Sequence, residues 1–231
     1  MRRAAAAALL ALLAAPAVPG EIPGAVIVLE TAPGTPGSDP SGAPPRFVLL
    51  KDGQVFVGGT SRVETGRLGK GEAQALRKRA EQARKLPGLS APVALGGDAT
   101  RTLRLRLLED DPVEIVASGD PEAAPPSLAP LATLLADLVR FDHPGLRPYE
   151  PASYAMTVRE ARRPGGCRRW DFAFPIAEAL GSTRTVTAAE AAGWPTGGTP
   201  ALVCLDDPGP STSAARRYVV TLRPLLPGER P

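Results

Sequence analysis

The most chemically loaded stretch of this chain is a run of arginines. Arg159, Arg162, Arg163, Arg168 and Arg169 fall within eleven residues, with only Glu160 against them. A guanidinium pairs bidentately with carboxylate or phosphate, so the cluster suits an acidic protein, lipid headgroups or an envelope polyanion. The plainer reading is a solvated loop in an arginine-rich composition. Beside the cluster lies Cys167, and Cys204 is the second of the two cysteines. In an oxidising compartment an even pair reads as one disulfide. The alternatives are two buried thiols, or a catalytic thiol, which needs a histidine partner.

The single histidine, His143, excludes a zinc site built on several histidines, and it alone could serve a Ser-His-Asp triad. It lies in a Pro-rich stretch and is expected to be exposed. Ser61 and Ser90 sit in expected loops without a nucleophile elbow, and no G-x-S-x-G, H-E-x-x-H, Walker or G-x-G-x-x-G pattern occurs. Carboxylate pairs such as Asp98 with Asp120, or Asp137 with Asp142, are available for hydrolysis, but spacing singles out none. Glu109-Asp110-Asp111 could face a hard cation, yet it lacks the spaced oxygen ligands of an EF-hand and reads as a solvated hairpin tip. Arg77, Lys78 and Arg79 could bind an anion, the alternative being a solvated helix face. No catalytic residue, metal ligand or cofactor is assigned.

The N-terminus reads as an export address. Arg2 and Arg3 precede an apolar run of twelve residues, Ala4 to Ala15, and Ala15-Pro16-Ala17 has the small-x-small cleavage pattern. A membrane span needs about 20 apolar residues, and Pro16, Pro19 and Pro23 interrupt this one. Cleavage is expected near Ala17, with Gly20 the second choice, and export by the general secretory route. A retained anchor or a buried Ala-rich helix is the alternative. Losing Arg2 and Arg3 lowers the formal net charge from +3 to +1. A nearly neutral chain argues against binding nucleic acid, and no transmembrane segment is expected after cleavage.

The remaining chain reads as α+β. Ala25 to Leu29 is a β-branched run, and a Pro/Gly/Ser linker follows from Ala32 to Pro45. Phe47 to Leu50 and Val55 to Val57 flank Asp52-Gly53, the signature of a type I′ hairpin. Ala73, Leu76, Ala80, Ala83 and Leu86 recur at helical spacing, with Pro87-Gly88 as the stop. Leu103, Leu105 and Leu107, then Val113, Ile115 and Ala117, alternate as a second hairpin. Ser127 is expected to cap a helix through Leu128, Leu131, Leu135 and Leu138. Beyond it, Tyr154, Met156 and Val158 with Trp170, Phe172 and Phe174 read as a third hairpin, its tip at Pro164 to Gly166 and its aromatics in the core. Thr187 and Glu190 suggest a capping box on a short helix ending at Gly193; Ala201 to Leu205 and Tyr218 to Leu222 read as closing strands.

The expected organisation is a secretion signal over 1–20, a strand and linker over 21–46, an α+β domain over 47–142, a Pro-rich linker over 143–151 and a mainly β domain over 152–231. Antiparallel hairpins would carry two main helices on one face, with a smaller, disulfide-tied, mainly β second half.

Lys51 to Gly53, Tyr149 to Pro151, the W-x-F-x-F-P run at Trp170 to Pro175 and R-P-L-L-P-G-E at Arg223 to Glu229 together resemble a loose group of exported proteins from GC-rich bacteria. That group has no assigned reaction, so the resemblance implies export and transfers no catalytic residue. The function expected is an exported, non-enzymatic binding or structural protein of the envelope or extracellular space, partnered by an acidic protein or envelope polyanion. An extracellular hydrolase using carboxylates or His143, and a secreted inhibitor of another enzyme, are the alternatives.

Overall fold

The computed structural model describes residues 22–33, 45–58, 62–97, 101–161, 167–196, 199–205 and 216–230. The expected signal over 1–20, with its cleavage points at Ala17 and Gly20, lies outside them, as do Arg162 and Arg163.

Strand β1 (Ala25–Pro33) is the centre of an eight-stranded sheet. Val26, Ile27, Val28 and Leu29 are all buried, because both faces of this strand are covered. That is why the run is continuously apolar rather than alternating. Its neighbours are β6 (Arg101–Leu107) and β2 (Phe47–Leu50). With β3 (Gln54–Val57), β4 (Glu64–Arg67), β5 (Val93–Gly96), β7 (Val113–Gly119) and β8 (Arg147–Pro148), the order is β5-β7-β6-β1-β2-β3-β4-β8. Every pair is antiparallel except β5 with β7.

The hairpin at Asp52-Gly53 forms, but its turn differs from the expected type I′. Gly53 N–H donates to Leu50 O at 3.1 Å, and the left-handed conformation falls on Gly53 alone, at φ +85°. Asp52 keeps negative φ, as in a turn closed by a glycine bulge. Strands β4, β5 and β8 had no sequence signal of their own. At the β5 edge the backbones come so close that a Cβ on Gly119 would lie 2.2 Å from Gly96 O.

Helix α1 (Lys70–Arg84) buries the expected Ala73, Leu76, Ala80 and Ala83, and Glu72 accepts from Gly69 N–H at its start. Helix α2 (Ala129–Val139) buries Leu131, Leu134, Leu135 and Leu138. Ser127 does not cap it: Pro126–Leu128 forms a turn of 3-10 helix, Leu128 holds the cap position, and no side chain bonds there. Both helices pack on one face of the sheet over Leu29, Phe47, Leu49, Leu103, Leu105 and Ile115.

The second half forms a four-stranded antiparallel sheet in the order β10-β9-β12-β11, from β9 (Ser153–Glu160), β10 (Thr183–Thr187), β11 (Pro200–Leu205) and β12 (Arg216–Pro224). The two closing strands stand as read. The third hairpin does not: β9 pairs with β10 and β12, while Trp170 to Phe174 is bent chain packed on the sheet. The alternating aromatics had imitated a strand, but Trp170 Nε1–H donates to Phe174 O at 2.6 Å and folds the segment on itself. The capping box between Thr187 and Glu190 is present, but only turns follow it, up to Gly193 at φ +79°. The fold is therefore α+β, with two α-helices and two antiparallel-rich sheets among the described residues and a disulfide in the second half.

The two sheets meet through the C-terminal turn. Arg223, one residue before the end of β12, forms a 2.7 Å ion pair with Glu229, their side chains 11 % and 3 % exposed. Glu229 also accepts from Leu226 N–H, and Leu226 packs among Ile22, Val28, Val48 and Phe56 on the helix-free face of the large sheet. Tyr149 Oη–H donates to Leu225 O at 2.9 Å. Its desolvation by burial, with Glu229 nearby, raises the phenol pKa.

Removing one partner of a buried pair strands the other charge, so Glu229→Ala is expected to destabilise the protein by about 3–5 kcal/mol. In urea denaturation, Arg223→Met with Glu229→Leu should recover most of that loss. A Glu229→Ala variant as stable as the parent would remove the pair from its structural role.

Candidate functional site

Alternation on the small sheet separates two faces. Met156, Val158, Val186, Val203, Tyr218, Val220 and Leu222 point into a core with Phe172, Ile176 and Trp194. The opposite face carries Thr157 and Arg159 on β9, and Arg217, Val219 and Thr221 on β12. Both elements are held in register along their length, with Val219 opposite Arg159 and Thr221 opposite Thr157.

The cysteines are joined, with Cα atoms 5.4 Å apart and a sequence separation of 37. Cys167 and Arg168 thereby lie along the outer edge of β11. Arg168 N–H donates to Leu202 O at 2.9 Å and Cys204 N–H donates to Arg168 O at 3.3 Å.

Of the five sequence-expected arginines, three are described, and they differ in what they do. Arg159 is exposed near the end of β9, and Arg169 is exposed on the strap that follows Cys167. Arg168 is committed to the fold. Its guanidinium lies 3.8 Å over the Trp194 ring, donates to Gly193 O at 2.9 Å and pairs with Asp171 at 3.3 Å. Two arginines not singled out from sequence lie at the same end of the sheet, on its two faces: Arg216 opposite Leu205 on the core side, and Arg217 opposite Cys204 on the other. They lie about fifty residues from the cluster along the chain, so local charge counting misses them; β12 lying between β9 and β11 brings them in. Among the described residues, Arg159, Arg169 and Arg216 form no ion pair.

The aromatic side of this sheet is already occupied by the protein itself. Trp170, Phe172, Phe174 and Trp194 stack with centroids 4.6 to 6.1 Å apart. Arg184 covers Phe174 at 3.6 Å, and Trp194 Nε1–H donates to Asp171 at 2.7 Å. The aromatics serve as core, as read from sequence, though not as a strand.

Among the described hydrolytic candidates, Asp137 and Asp142 line one groove of about 380 Å³ together with Arg79 and Arg140, and the others stand apart. His143 is half-buried, not exposed as expected: its Nδ1 accepts from Gly145 N–H at 3.1 Å, and Nε2 lies 3.6 Å from Glu72. Among the described residues neither ring nitrogen is hydrogen-bonded to a Ser, Thr or Cys side chain. Asp120 accepts from Glu122 N–H, Asp137 pairs with Arg79, and Ser90 is exposed. Ser61 and Asp98 lie outside the described residues. The acidic hairpin tip is exposed, as expected of a solvated turn, Asp111 being 93 % exposed, and Glu109 pairs there with Arg77 and Asp111 with Arg84. Arg77 and Arg79 are accordingly bound within the fold. Among the described residues no three His, Cys, Asp or Glu side chains group as around a metal ion. A polar groove of about 390 Å³ runs between Gln54, Thr65, Gly66 and Arg67 on one side and Gly145 and Arg147 on the other. Arg67 there is tied to Asp52 at 2.8 Å. The Gln54 N–H and the Arg67 guanidinium hold the Asp52 carboxyl below its usual range.

No protein-family model matches the chain, and no curated protein or solved structure does either.

Two outcomes follow from this geometry. On chain-entropy grounds, replacing Cys167 and Cys204 by serine should cost about 4 kcal/mol in chemical denaturation. A negligible change would mean that the bridge does not constrain the chain. The Thr187 N–H and hydroxyl hold Glu190 below the ordinary 4.5. Its folded pKa is depressed, so the cap contributes stability above the ordinary glutamate pKa and loses it as pH falls through the lower, folded value. An NMR titration should place the Glu190 midpoint below 4.5, and Thr187→Val should move it back up.

Proposed function

We propose that this is an exported, non-catalytic binding protein of the cell envelope or extracellular space, which docks on a negatively charged surface through the arginine-bearing end of the small sheet. The observation that carries the reading is that strand order brings Arg159, Arg169, Arg216 and Arg217, from three separate chain segments, to one end of that sheet, with Arg159 and Arg217 on the face away from the core and Arg216 on the other. The guanidinium groups of Arg159, Arg169 and Arg216 offer forks to carboxylates or phosphates while their backbones stay fixed in strands and a disulfide-held strap.

Export is supported from two sides. The leader-like N-terminus reads as a secretion signal, and a Cys167–Cys204 bridge is at home in an oxidising compartment. No described helix is long and apolar enough to cross a membrane. The chain without its leader is close to neutral, so positive charge is local rather than global. That favours docking through one patch over wholesale nucleic-acid binding.

The triple variant Arg159→Glu, Arg169→Glu, Arg216→Glu tests the patch, with polygalacturonate and poly-glutamate as anionic probes. Wild type is expected to bind a carboxylate polymer with affinity that falls as salt rises. The variant should bind about tenfold more weakly or worse. Equal affinity in variant and wild type would sink the patch. N-terminal sequencing of native protein from outside the cytoplasm should find a chain starting after Ala17 or Gly20; an intact Met1 would sink export with cleavage.

A further inference from the structure

We infer that the open face of the small sheet is a binding surface for an acidic glycan, a sugar chain bearing carboxylates; this rests on the docking reading above and names its ligand class. The face is defined by side chains opposite the core. Thr183, Thr157 and Thr221 stand in one row across β10, β9 and β12, directly opposite one another in register. Adjacent strands are about 4.8 Å apart, so the hydroxyls form a ladder with that repeat. Thr157 and Thr221 are half-buried and Thr183 is exposed, and none of the three hydroxyls makes a hydrogen bond among the described residues. Each therefore keeps one donor and two acceptor positions open, the complement of a sugar hydroxyl.

Charge enters from the next row. Arg159 lies two residues beyond Thr157 on the same strand face and is exposed, and Arg217 lies four residues before Thr221. Val219 and Leu202 share the row of Arg159 and are half-buried, giving small apolar patches for the C–H faces of sugar rings. No Asp or Glu stands at the strand positions of this face, which are Ser153 to Arg159 on β9, Thr183 to Thr187 on β10, Pro200 to Cys204 on β11 and Arg217 to Arg223 on β12, taken alternately; Glu229 on Arg223 and Glu190 on Thr187 lie at the end away from Arg159. Hydroxyls in a row, flanked by a guanidinium and without an acid in either row, suit a ligand that is both hydroxylated and anionic.

The composition disfavours other anionic partners. Single-stranded nucleic acid wants exposed aromatic platforms, and here the described aromatics of this sheet lie on the other face, two of them under Arg168 and Arg184. A protein partner is usually anchored by Trp, Tyr or Arg in a desolvated centre, whereas the centre of this face is threonine.

The test compares polygalacturonate, dextran as a neutral glycan and poly-glutamate as an anion without sugar hydroxyls, by calorimetry at two salt concentrations. Wild type is expected to prefer polygalacturonate over both. Thr157→Val with Thr221→Val, a β-compatible change checked by circular dichroism, should weaken polygalacturonate binding about tenfold, the loss of roughly two hydrogen bonds. Its binding to poly-glutamate should not change. Arg159→Glu should weaken both polyanions. If poly-glutamate binds as tightly as polygalacturonate, or the valine variant binds polygalacturonate like wild type, the glycan inference falls while docking on an acidic surface stands. If neither polyanion binds, both fall.

Discussion

Arg223 and Glu229 meet at 2.7 Å in a place almost shut off from water, and the route of the chain between the two sheets depends on that meeting. Neither charge tolerates such a site alone, because desolvation exceeds what water-poor surroundings return unless a partner is present. Held together, they force the five intervening residues into a tight return. Leu226 N–H is then tied to Glu229, and Leu226 reaches the apolar patch of Ile22, Val28 and Phe56 behind the large sheet. Tyr149 closes the junction from the other side through its bond to Leu225 O and its edge contact with Phe56.

With the end of β12 held there, the rest of that strand has little freedom. Tyr218, Val220 and Leu222 face the aromatic core, so Arg217, Val219 and Thr221 must face outward. A shift of one residue would exchange the two sets, burying arginine and exposing tyrosine. The candidate surface is thus a consequence of the core: the same pairing that seats the apolar side chains presents the threonines and arginines in rows. The strap at Cys167 and Arg168 adds a fixed margin along β11, since two backbone hydrogen bonds and the disulfide hold it.

The sheet also divides its cations by role. Arg168 and Arg184 lie over Trp194 and Phe174 and take the aromatic faces out of reach of a ligand. Arg159, Arg169 and Arg216 remain without ion pairs among the described residues. Sequence proximity made Arg168 look equivalent to Arg169, yet one residue of separation puts one on a tryptophan and the other in solvent.

Much of the framework was legible without the fold. The helical spacing of Ala73 to Ala83, the alternation of Leu103 to Leu107, the apolar run of β1 and the pairing of two cysteines each follow from a local rule: a regular element must turn its apolar positions one way. β8, with two residues, is too short for a period, β5 lacks a turn signal like the Asp52-Gly53 that marked β2 and β3, and Trp170 to Phe174 had a period without being a strand, because its own indole hydrogen bond bent it. The surface proposed for binding was illegible for a different reason. Thr157, Thr183 and Thr221, or Arg159 and Val219, become neighbours only through strand order and register. Those are set by packing between residues tens of positions apart, and periodicity along one segment carries no information about which segment will lie beside it.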